Sequence, residues 1–344
     1  MKQGLCSLGD HRADPLTGKR TSQAQRHAEF IEYLDMAEPL GFDTVVAGEH
    51  HFSDFIVSVP QLFLARLAGR TEKVRLASGV TLLPHHDPVR IAEDFATLDV
   101  LSGGRAEVWV GKGVEPKVYA YFGQDVEEAV ARQQEGLELL VKLWSEEDIE
   151  WAGQFRPSLQ EVTLQPRPLQ LPHPPVYVSC SNPDATVAPA KMGLNIVATG
   201  LAFDLDQLPP MVDRYHEEWA KAGHRHEPHI TLLAHTYVEP DSQTAIRHLE
   251  QYQFIFQKWV FSKRFGIDAD EVELPPRIMN LGSDESVIAV GSPQAVTDKI
   301  GQLCELSGCD RFIVQSDYGG QPFDVVKASL ELYARDVLPV VADF

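Results

Sequence analysis

The sequence predicts an α/β fold, a single closed (β/α)8 TIM barrel with insertions near its C-terminal mouth. Three observations predict it. Short, almost wholly apolar runs alternate with amphipathic stretches through about eight steps along 344 residues, the pattern of a parallel sheet covered on both faces. No G-x-G-x-x-G follows the first apolar run, which speaks against an open dinucleotide-binding sheet. Polar or glycine-rich clusters stand just past several runs, where barrel enzymes keep their active sites. The barrel is expected to take in residues 1–344 as one domain.

The elements follow in order. Residues 4–8 form the first strand. Phe30, Ile31, Leu34, Ala37 and Leu40 repeat at helical spacing over 23–40, with Gly41 as the stop. Thr44 to Ala47 is the second strand, 74–81 the third, 88–101 a helix and 106–110 the fourth strand. Gly103-Gly104-Arg105 is expected to be a tight turn in which glycine supplies positive φ. Residues 126–144 are helical, with Val130, Leu137, Leu140, Val141 and Trp144 on one side. Six prolines between 157 and 175 mark an extended excursion, taken as 150–175. Strands at 176–179 and 195–198 flank a helix at 184–192. A helix at 205–222, a strand at 230–238 and a helix at 241–258 come next. Residues 259–290 show little periodicity and are expected to be an insertion at the mouth. Ser292-Pro293 opens another helix as N-cap and first helical residue. A last strand at 311–315 and a helix carrying Val326, Leu330, Tyr333 and Val337 complete the eight steps.

Composition narrows the function. Thirty Lys+Arg against 50 Asp+Glu leave a net charge of −20, which excludes an electrostatic binder of duplex nucleic acid or anionic lipid. Four cysteines without a C-x-x-C are expected to be reduced thiols of a cytoplasmic protein. The N-terminus does not resemble a signal peptide, and no apolar run nears the roughly 18 residues of a membrane span.

The clusters past the strands are candidate chemistry. Glu49-His50-His51 admits three readings: a metal site completed by His85 or His86, a structural carboxylate–imidazole pair, or a pocket-facing histidine for acid/base or hydrogen-bonding work. Neighbouring strand residues face opposite ways, so His50 and His51 do not easily share one ion. Ser181-Asn182-Pro183 has the form of a capped helix start, where free N–H groups can meet an anion. Lys112 and Arg132 are the best placed cations for a phosphate.

Taken together, the segments 41–52, 74–84, 88–105 and 290–293 resemble the bacterial luciferase-like monooxygenase family, and the likeness covers nearly the whole chain. That resemblance implies a barrel holding a flavin, usually FMN, whose reduced form reacts with O2 to oxygenate an organic substrate. It places the active-site histidine at His50 and a flavin-contacting carboxylate at Glu49. It places a non-proline cis peptide at Gly79-Val80. The phosphate-binding basic residue falls at Lys112, with Arg132 a second after a small shift. The backbone phosphate loop falls at Ser181 and Asn182, with Thr186 a turn on. The luciferases' reactive cysteine position is Gly111 here, so light emission is not implied.

The expectation is therefore an FMN-dependent oxidoreductase, a two-component monooxygenase of the cytoplasm fed with reduced flavin by a separate reductase, binding no metal. A homodimer is expected through the run 60–65 and the helix 88–101. The rivals are an F420-dependent oxidoreductase of the same fold, a non-catalytic flavin-binding barrel and a metal-dependent hydrolase.

Overall fold

The computed structural model describes residues 1–199 and 204–344. Eight parallel strands close into a barrel: β1 (Lys2–Ser7), β2 (Thr44–Ala47), β3 (Arg75–Ser78), β4 (Ala106–Gly111), β5 (Val176–Cys180), β6 (Asn195–Thr199), β7 (Ile230–Val238) and β8 (Arg311–Asp317). They pair in chain order, and β8 returns to β1 with Leu5 opposite Val314. The fold is a (β/α)8 TIM barrel.

Period-two alternation divides the strands between two cores. Each strand gives one residue to an apolar layer inside the barrel: Cys6, Val46, Ala77, Trp109, Tyr177, Val197, Leu233 and Ile313 form one buried cluster. Their neighbours, such as Leu5, Val45, Leu76 and Val108, face outward into a larger core beneath the helices. At the N-terminal end the barrel is closed by charge. Glu107 accepts from Arg311 Nη1 at 2.6 Å and from Arg75, and Arg311 also donates to the Tyr177 hydroxyl at 3.0 Å. The opposite, C-terminal end stays open.

The helices that follow the strands are α1 (Gln23–Asp35), α2 (Pro60–Ala68), α3 (Pro88–Ser102), α4 (Ala129–Ser145), α5 (Val187–Met192), α6 (Leu208–Ala222), α7 (Ser242–Phe265), α8 (Pro293–Ser307) and α9 (Phe323–Asp336). Their sequence signals act locally. Asp87 caps α3 by accepting from Val89 N at 2.9 Å, Pro88 is its first residue, and Gly103 ends it at φ 68°. Ser292 caps α8 in the expected way.

Several boundaries differ from expectation. Helix α1 stops at Asp35 rather than near Leu40, because Pro39 has no N–H to give Asp35 and disfavours a helical Glu38. The third strand breaks after Ser78 and resumes as the two-residue strand Thr81–Leu82, and the peptide between Gly79 and Val80 is cis. The run 60–65 is the start of helix α2. Val130 is exposed rather than part of the buried face of α4. The proline-rich stretch contains a small antiparallel pair, Ile149–Trp151 with Leu159–Val162.

The largest difference concerns 259–290. Its first seven residues continue α7, which runs to Phe265 and ends where Gly266, at φ 68°, donates to Ser262 O. Trp259 extends the buried stripe Leu249, Tyr252, Phe256 of that helix. The remainder holds short helical turns and the strand Ala289–Gly291, which pairs with the end of β7. The long α7 therefore stands beside the open end of the barrel and walls it.

Candidate active site

A cavity of about 300 Å³ occupies the C-terminal mouth, floored by Gly79, Val80 and Trp109 and walled by Leu8, Val197 and Leu233. The glycine at 79 is a packing requirement: a Cβ there would lie 2.1 Å from Val46 Cγ1. The same holds for Gly111, where a Cβ would come within 2.6 Å of Val80 Cγ2, so this mouth has no room for a cysteine at that position without repacking.

His50 and Glu49 follow β2 directly. The loop 52–59 folds back so that His50 N donates to Val57 O at 2.9 Å. This brings Phe55 flat against the His50 ring, and the ring opens onto the cavity. Burial lowers the His50 pKa to about 4, against the opposing pull of the Glu49 charge. The unperturbed imidazole value near working pH is thus not the one this site holds, and His50 is a neutral hydrogen-bonding group at pH 7.

Glu49 is only 2% exposed. Its Oε1 accepts from His86 Nε2 at 2.7 Å and from His51 Nε2 at 2.9 Å. Burial raises its pKa, but the hydrogen bonds from the two histidines outweigh that and keep it below the usual carboxylate value. Burial likewise pulls His86 down, and the hydrogen bond and charge of Glu49 more than reverse it, holding His86 towards its charged form. Neighbouring histidines have parted as expected, with His50 against Phe55 and His51 against Glu49. His85 is tied to Gln124 at 2.8 Å. Glu49, His51 and His86 bring three possible metal-ligating atoms within 4.8 Å of one another.

The other expected site residues divide. Lys112, just past β4, and Ser181, just past β5, are exposed and line the cavity. Among the described residues Lys112 enters no ion pair, so its amine is available to an anion. Asn182 spends its side chain on the helix start, accepting from Ala185 N at 3.0 Å. Thr186 is buried, with its hydroxyl donating to Pro183 O at 2.7 Å. Arg132 stands outside the lining: Glu128 holds its guanidinium at 2.8 Å and it lies over the Phe155 ring.

Several lining residues were missed from sequence, the polar Gln315 and Arg264 among them. Gln315 is a polar interruption near the end of β8, the kind of position already inspected on other strands. Arg264 lies on the last turn of α7, in the stretch taken for irregular insertion; the helical stripe through Trp259 and the stop at Gly266 were the signals.

The geometry can be set beside known proteins. The profile of the family described as luciferase-like monooxygenase matches residues 1–311. The chain belongs to the luciferase-like monooxygenase family. It is an enzyme of the flavin-dependent monooxygenase class. The oxygenase component of a flavin-dependent trigonelline monooxygenase from Acinetobacter baylyi is 28% identical, over 94% of this chain and 92% of that one. The crystal structure of the monooxygenase RslO1 from Streptomyces bottropensis superposes with a TM-score of 0.86 at 27% identity, covering 99% of each chain. The oxygenating constituent of 3,6-diketocamphane monooxygenase from Pseudomonas putida, solved with FMN, shares the fold at a TM-score of 0.78 and 22% identity, covering 98% of each chain. Among the described residues of this luciferase-like barrel, no helix is long and apolar enough to cross a membrane.

Proposed function

We propose that the protein is the oxygenase component of a two-component monooxygenase, which takes reduced FMN from a separate reductase, and O2, and oxygenates a small organic substrate. One observation carries the reading: a single cavity at the barrel mouth is lined by six of the nine residues the family resemblance assigns to the site, Glu49, His50, Gly79, Val80, Lys112 and Ser181. The relative named as an oxygenase component supports a separate reductase.

These residues fit an FMN. The apolar walls suit a flat ring system, and the uncommitted Lys112 amine with the Ser181 hydroxyl suits a phosphate. Reduced FMN supplies the two electrons that O2 activation consumes. The chain's own groups do the rest. Lys112 and Ser181 hold the phosphate. The neutral His50 offers one ring N–H and one lone pair to reacting groups without taking a charge. Glu49 stays ionised between His51 and His86 and fixes the loop that presents His50. Helix α7 covers one side of the mouth and limits the entry of water.

The three-ligand cluster favours a metal-dependent hydrolase as a second reading. The ring nitrogens of His51 and His86 that would ligate, however, are both bonded to Glu49 Oε1, so the cluster is satisfied within the protein. The cytoplasm, with reduced thiols and reduced flavin, suits the four free cysteines. Helices α2 and α3 pack together and leave Leu62 and Leu101 exposed, a face suited to a homodimer.

The test mixes the anaerobic protein, loaded with reduced FMN, with O2 and a panel of organic substrates. Oxygenated product with FMN is the expected result. Turnover with F420 only, or hydrolysis that depends on added zinc, would contradict it.

A further inference from the structure

A second cavity, of about 270 Å³, adjoins the first and shares Leu8, His50, Val114, Thr199 and Gln315 with it. Phe55, Phe256 and Trp259 give it an aromatic wall, with Phe55 and Trp259 centroids 5.3 Å apart and Phe256 and Trp259 5.9 Å apart. Its charged lining residues, Glu115, Lys263 and Arg264, are partly or fully exposed and form the rim. The inner end is uncharged.

His235 and Gln257 are buried polar residues of this lining, beside the shared Gln315. His235 is 1% exposed and its Nδ1 meets Gln253 Oε1 at 3.0 Å. The Gln253 amide, whose Nε2 has no other partner, presents its oxygen to Nδ1; in that orientation Nδ1 carries the hydrogen and Nε2 keeps a lone pair. Burial keeps this imidazole neutral, with its pKa lowered to about 4. Gln257, one helical turn after Gln253, is also 1% exposed, and its Nε2 has no hydrogen-bond partner. Buried polar groups are normally paired, so a lining residue whose buried amide nitrogen has no partner points to a polar ligand beside it. The inner end therefore offers one acceptor and one donor between aromatic faces. A hydroxyl satisfies both, since it donates one hydrogen and accepts through its lone pairs.

Resting on the monooxygenase reading above, we propose that this second cavity is the substrate seat and that it takes an uncharged planar aromatic bearing a hydroxyl group. The ring lies among Phe55, Phe256 and Trp259, the hydroxyl donates to His235 Nε2, and Gln257 Nε2 donates to its oxygen. The volume suits a compact ring system of naphthol size. Gln253 is a positioning residue, because it sets the His235 tautomer.

The test is calorimetric titration of the full-length protein, with and without FMN, using 2-naphthol, 2-methoxynaphthalene and 2-naphthoate as probes. The expected result is 2-naphthol bound about tenfold more tightly than its methyl ether, the effect of one hydrogen bond to a buried partner. His235→Phe should abolish that preference while leaving the ether's affinity in place. If this variant does not fold, Gln257→Met, which conserves volume, should weaken 2-naphthol selectively. Equal affinities for naphthol and ether, tightest binding of 2-naphthoate, or no binding of any probe would overturn the proposal. FMN titrated into the same samples separates the two readings. Naphthol selectivity without FMN binding would sink only the monooxygenase assignment, and FMN binding without selectivity only this one.

Discussion

The imidazole of His50 lies face to face with the ring of Phe55, centroids 3.9 Å apart and planes 12° apart. Phe55 is carried there by two short-range ties, the bond from His50 N to Val57 O and the bridge between Asp10 and Phe55. The phenyl face removes water from one side of the imidazole, and this desolvation keeps His50 neutral. Phe55→Ala should let the His50 pKa climb from about 4 towards the ordinary 6.5, as followed by NMR titration of the ring protons. A titration unchanged from wild type would show that other walls do the desolvating.

Replacing His50 itself should separate binding from chemistry. His50→Ala should keep FMN affinity within a few-fold, because the phosphate contacts and barrel walls remain. Turnover should fall by about 10²–10³-fold, the usual loss for one aimed hydrogen-bonding group. The wild-type kcat should show no ionisation of this histidine between pH 6 and 8, since its pKa lies near 4. Steady-state kinetics over that range check both statements.

Stability should depend on pH through the two buried neutral imidazoles. His50 and His235 are both lowered from 6.5 to about 4 in the folded protein. Between those values the unfolded chain binds protons that the folded one refuses, so their contribution is complete above about 6.5 and is lost as pH falls towards 4. Urea midpoints measured at several pH values should fall on acidification through this window, and His235→Phe should flatten the slope. An equally steep slope in the variant would mean that His235 does not contribute.

The closed end of the barrel is a stability element. Glu107 is buried and shared by Arg311 and Arg75. Glu107→Gln removes the carboxylate that Arg311 and Arg75 share and leaves the buried Arg311 without its hydrogen-bonded counter-charge. The expected cost is about 3–5 kcal/mol, read as a lower denaturation midpoint with the mouth's FMN affinity unchanged at low temperature.

Much of this architecture was legible in the sequence because each barrel strand is short, apolar and followed by its own helix. Caps such as Asp87 and Ser292 and the turn at Gly103 are local signals, and they act where they stand. The mouth residues past β2, β3, β4 and β5 were found by the same rule of position. What escaped depends on distant contacts. The pairing of Glu49 with His86 joins residues 37 positions apart; the sequence brought His86 to this cluster only as a possible metal ligand, not as the partner of Glu49. The neutral state of His50 depends on burial, which residue type alone does not show. Arg132 was expected as a second phosphate cation from the family resemblance, after a small shift, yet Glu128 one turn before it on the helix claims its guanidinium. The second cavity was hidden because α7 was expected to end at residue 258, before Trp259, Lys263 and Arg264 joined its wall.

The central claim is that the mouth cavity is a site for reduced FMN with Lys112 on its phosphate. The most direct measurement is an anaerobic titration of wild type and Lys112→Ala with reduced FMN, followed by flavin fluorescence and calorimetry. Saturable binding of one FMN per chain is expected, weakened about 10–100-fold in the variant, the loss of one charge-assisted hydrogen bond. No saturable binding by the wild type, or equal affinity in the two proteins, would contradict it.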